Sequence, residues 1–85
     1  MDWPSRLETY LAEIENRINA NLKVIVRQKA SVFKLKTAGR DSTLAEKALA
    51  TYHKEGLWLF AQRERVREYI AQIHEQRSER SNDNR

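Results

Sequence analysis

The sequence predicts an all-α fold, a long antiparallel hairpin of two helices that pairs with a second copy to make a four-helix bundle. Three observations predict it. Apolar residues recur at alternating steps of four and three along two separate runs, each far too long for a strand. One helix-stop and helix-start signal, "KTAGRDSTLAE", divides the runs. Pro4 is the only proline and Gly39 and Gly56 are the only glycines, while 33% of the residues are charged. That balance suits long solvated helices and leaves too few turn formers for a β-sandwich.

The first helix is expected over about 4–37. Pro4 fits its first turn, behind Asp2 as cap or an entry made at Trp3. Its seam reads Leu7, Leu11, Ile14, Ile18, Asn21, Ile25, Gln28, Val32 and Leu35, a heptad pattern broken by two amides. An amide in such a seam fixes register at some cost in stability, and Asn21 and Gln28 are expected beside Gly56 and Leu49 or Tyr52. Lys34 and Lys36 then sit in a last turn, where cations favour the negative end of the helix dipole. Gly39 can take the left-handed conformation that ends a helix.

A loop over 38–42 follows. Thr43 with Glu46 three residues on fits a capping box, and Asp41 and Ser42 are the other cap candidates. The second helix, about 43–77, carries Ala45, Leu49, Tyr52, Gly56, Leu59, Arg63, Val66, Ile70 and Ile73 at the same steps. Arg63 is expected to snorkel out of that seam. Residues 78–85, "SERSNDNR", contain no apolar side chain and are expected to be a disordered tail. One domain, 1–77, results.

An alternative fold competes over 22–37. "LKVIVRQ" and "SVFKLKT" are rich in β-branched and aromatic residues, which would give a β-hairpin between two helices. Against it, "RQKAS" offers no Gly, Asn, Asp or Pro for a tight turn. Charge pairing favours the helical hairpin. In antiparallel helices the e positions flanking the seam face e, and g faces g. The e side pairs Glu8 with His74, Glu15 with Arg67, Leu22 with Phe60, Lys29 with His53 and Lys36 with Glu46. The g side pairs Tyr10 with Tyr69, Arg17 with Gln62, Val24 with Glu55 and Ser31 with Ala48. No pair opposes like formal charges.

Filling both seams leaves large apolar residues over. In "HKEGLWLFAQ", Leu57, Trp58, Leu59 and Phe60 point to four sides of one helix, and a single buried stripe cannot take them all. Leu22, Val26 and Phe33 line the e and b side of the first helix, and Ala50, Leu57 and Phe60 the same side of the second, with Trp58 at the edge. A patch of this kind marks an interface, here with a copy of the chain or another protein. Gly56 is expected to let that other helix approach closely. At 85 residues the core is marginal alone, and with no cysteine for disulfides oligomerisation is the remaining support.

Signals of chemistry do not accompany this architecture. There is no cysteine nucleophile or glycine-rich phosphate loop, and His53 and His74 stand too far apart for a helical metal pair. Acids such as Glu64 and Glu68 interleave with Arg63, Arg65 and Arg67 as on a solvated face. The expectation is a non-enzymatic interaction protein without cofactor or small-molecule substrate, working as a homodimer with a protein partner. No apolar run approaches a membrane span, the N-terminus lacks the features of a signal peptide, and a cytoplasmic location is expected. The alternative is nucleic-acid binding. The net charge is +4, but residues 23–40 carry six cations and no acid. Arg27, Lys29, Lys34, Lys36, Arg40, Lys47 and Lys54 all fall near the loop, where they would meet phosphates, although no known DNA or RNA motif joins them.

Overall fold

The computed structural model describes residues 3–83, with side chains over 5–77. Two helices, α1 (Trp3–Thr37) and α2 (Thr43–Asp83), pack side by side as an antiparallel hairpin. The described residues contain no strand, and 22–37 is helical throughout, so the β-hairpin alternative does not form. Its β-branched residues divide between the buried seam (Ile25, Val32) and exposed positions (Val26), which is the division a helix makes.

Every one of the eighteen seam positions read from the sequence is buried or half-buried. Ile14, Ile18, Leu59 and Val66 form the centre of the core, with Leu7, Leu11 and Ile70 packed against it. Ile25 extends the buried row toward the loop. Each such side chain taken from water contributes roughly 1.5–3 kcal/mol, and this row is what holds the two helices together. The two seam amides are satisfied by the opposite backbone. Asn21 Nδ2 donates to the Tyr52 carbonyl at 3.1 Å and Gln28 Nε2 to the Ala45 carbonyl at 3.0 Å.

Gly56 has a role inside the hairpin itself. It is buried inside the hairpin, and a Cβ built on it would lie 2.7 Å from Asn21 Oδ1. Its missing side chain makes room for the chain's own Asn21.

The loop follows from its residues. Gly39 has φ +70°, and its N–H donates to the Lys36 carbonyl while the Arg40 N–H donates to that of Leu35. These two bonds are the Schellman arrangement that closes a helix C-terminus. At the start of α2, Asp41 is the capping side chain, where Thr43 with Glu46 was expected. Asp41 Oδ1 accepts from the Thr43 N–H at 3.0 Å and from the Thr43 hydroxyl at 2.6 Å. Glu46 instead reaches Lys36 across the hairpin at 2.7 Å.

The outer ends differ from expectation at one point. Asp2, the N-terminal cap candidate, lies outside the described residues. Helical backbone continues in α2 to Asp83, six residues past the end expected at 77. No Gly or Pro between 77 and 83 stops it, and Glu79 and Arg80 are good helix formers, so helix outlasts the apolar pattern that located it. No helix of the described residues is long and apolar enough to cross a membrane.

Two helices alone do not make a compact body. The radius of gyration is 20.0 Å, against about 12 Å for a globule of this length. Accessible surface is 6989 Å², against about 5,300 Å² for a compact monomer of 10.1 kDa. The excess of roughly 1,700 Å² is surface a folded chain of this mass ordinarily hides.

Candidate interaction surfaces

The hairpin has two flanks, one on each side of the seam. Along the e flank, Leu22 and Lys29 of α1 and His53, Leu57 and Phe60 of α2 line a groove floored by Asn21, Ile25 and Gly56. Leu22 faces Phe60 here, as the e pairing predicts. The groove exists because small Gly56 lies at its floor while larger side chains stand on its rims.

All six apolar residues picked out as an interface are exposed. Val26, Phe33 and Leu57 are 67%, 68% and 71% open to water. Phe60, at 37%, is the least open, because the Arg63 guanidinium lies over its ring with Cζ 4.7 Å from the centroid. Arg63 leaves the seam along this flank, as its apolar surroundings require. Its Nε is buried without a hydrogen bond, at 3.5 Å from Glu64 Oε1.

Trp58 is not at the edge of this patch. It lies in a second groove on the g flank, with Arg17, Ala20 and Val24 of α1 and Tyr52 and Glu55 of α2. One step along a helix turns 100°, which carries Trp58 from beside Leu57, past the outer face, to the other side. Ala20 and Val24 were missed as its neighbours, although the g pairing of Val24 with Glu55 already pointed to them. Leu44, one heptad pair before Trp58 on the same stripe of α2, is 82% exposed and was also missed.

The basic residues share the loop half but not a face. Residues 23–60 hold eight Lys and Arg against three acids, or +5, whereas residues 1–22 sum to −2. Lys29 lines the e groove, Arg27 flanks Leu22, Lys23 and Val26 on the outer side of α1, and Lys36 is paired with Glu46. Lys34 follows Arg27 seven residues on, Arg40 is in the loop, and Lys47 and Lys54 lie on the exposed back of α2. The charge therefore rings one end of the rod.

Two cross-helix ion pairs fix the relative level of the helices. Arg67 meets Glu15 at 3.2 Å at the open end, and Lys36 meets Glu46 near the loop. Both are pairs expected from the sequence, and each is exposed and worth at most about 1 kcal/mol. Among the described residues no group of three or more His, Cys, Asp or Glu is placed to hold a metal ion. No family model, curated protein or solved structure matches this chain. The functional reading therefore rests on these surfaces.

Proposed function

We propose that the protein is a small non-enzymatic interaction module, an adaptor, assembly or regulatory subunit that acts through helix faces as a homodimer of helical hairpins. One observation carries this reading. The seam is already full, yet Leu22, Val26, Phe33, Leu57 and Phe60 remain exposed together on one flank. Monomeric proteins rarely leave so many large apolar side chains in water on one flank. On the opposite flank Trp58 offers a partner the type of side chain that most often anchors an interface.

Replacing both Leu57 and Phe60 with Glu tests the reading, because neither residue belongs to the seam that holds the hairpin. Sedimentation equilibrium with circular dichroism should show the dimer lost, leaving a monomer or an unfolded chain. Val26→Glu, on the other helix, should weaken association in the same direction. A stable dimer unchanged in both variants would place the contact elsewhere.

Nucleic-acid binding is the second reading, favoured by the +5 charge of the loop half. Binding of a mixed RNA and duplex DNA ladder that falls steeply with salt supports it, because phosphate contacts release counterions. Indifference to the ladder at low salt removes it.

A further inference from the structure

The e stripe of α1 reads Glu8, Glu15, Leu22, Lys29 and Lys36, each seven residues from the next. Acids stand on one side of Leu22 and lysines at equal distances on the other. The neighbouring b stripe, Ala12, Asn19, Val26 and Phe33, is small on the acidic side and large on the basic side. Both stripes are complementary to their own reversal about the same level. On α2 that level is Phe60, since the ion pairs Glu15 with Arg67 and Lys36 with Glu46 put Leu22 beside Phe60.

We infer that the e flank is covered by a second copy of the chain lying antiparallel, related by a two-fold axis across the rod at Leu22 and Phe60. This rests on the homodimer reading above and adds its orientation. The axis sets Leu22 on Leu22 and Phe60 on Phe60 of the two copies. It opposes Glu15 to Lys29 and Glu8 to Lys36, and lays Phe33 over Ala12. Lys29 and Glu8 have no ion pair within the described part of their own chain, so each gains a partner. Two matches are unfavourable: His53 meets Arg67, whose charge Glu15 and Glu64 already share, and Leu57 meets Glu64 on the b stripe of α2.

The rival two-fold runs along the rod and makes a parallel dimer. It places two loop halves of +5 side by side, whereas the antiparallel dimer lays each over the other copy's open half, whose segments 1–22 and 61–85 carry −2 and +1. Area agrees with a second copy as occupant. A standard interface hides about 800 Å² per partner, well within the excess of roughly 1,700 Å² that each chain exposes.

The test uses the full chain with Arg40→Cys, an exposed loop position, carrying a spin label. Arg40 lies eighteen residues beyond Leu22, about 27 Å at 1.5 Å per residue. Antiparallel copies therefore hold the labels roughly 50 Å apart, and parallel copies hold them within roughly 25 Å, about two helix spacings and the label arms. Light scattering on the same sample gives the mass. A dimer with the long distance is the expected result. Dimeric mass with the short distance overturns the orientation and leaves the dimer reading standing, whereas monomeric mass overturns both.

Discussion

At the level of single residues, the turn between the helices shows how several weak signals are resolved by geometry. Asp41, Ser42 and Thr43 are all good caps, and their order alone does not choose among them. The structure gives the role to Asp41, because the chain leaving Gly39 presents its carboxylate to both donors of Thr43. Those bonds, the hydroxyl first and the backbone N–H second, hold the Asp41 carboxyl below its ordinary range. Its folded pKa is thus below the unfolded value. The stability it contributes is present above the unfolded pKa near 4 and is lost as the pH falls through the lowered folded value. A carboxyl NMR titration should find Asp41 titrating below a free aspartate, and the stability difference between the wild type and Asp41→Asn should vanish in strong acid.

Among the elements, the seam was almost wholly legible, because hydrophobic periodicity records which side of a helix is dry. Two ambiguities were not. The helix end past residue 77 carries no apolar mark, so periodicity is silent there, and Trp58 has apolar neighbours in sequence that face the other way in space. Gly56 was legible as an anomaly but not in its use, since only the packed pair shows Asn21 filling its gap. This makes the contact of α1 with α2 testable. Gly56→Ala alone gains about 1 kcal/mol of helix propensity, but its Cβ displaces the Asn21 amide and strands a buried polar group, costing about 1–3 kcal/mol. The single variant should therefore be less stable than wild type in urea denaturation. With Asn21→Ala already present, the same substitution should stabilise by about 1 kcal/mol, and equal effects in both backgrounds would show that the two residues do not interact.

For the molecule as a whole, the sequence carried the hairpin and the exposed strip, while what covers that strip lies in the relation between two chains. Stripe by stripe, however, the self-complementary order of charge and size was already written in α1. An assembly that hides the excess surface should unfold together with its dissociation. Tenfold dilution then costs about 1.4 kcal/mol per dimer and lowers the melting temperature by about 4 °C, given about 2.1 cal/mol/K per residue over two chains. A melting temperature independent of concentration would show that each hairpin stands alone.

The single short turn also sets the order in which the hairpin assembles. Contacts between the helices join residues 17 apart at Gln28 and Ala45, 31 apart at Asn21 and Tyr52, and 52 apart at Glu15 and Arg67. Closing the longest of these segments from an unfolded chain costs about 1 kcal/mol more in chain entropy than closing the shortest. Folding therefore starts beside Gly39 and zips outward, each seam layer shortening the search for the next. The free ends join last and open first, and amide hydrogens there exchange ahead of those in the layers around Asn21.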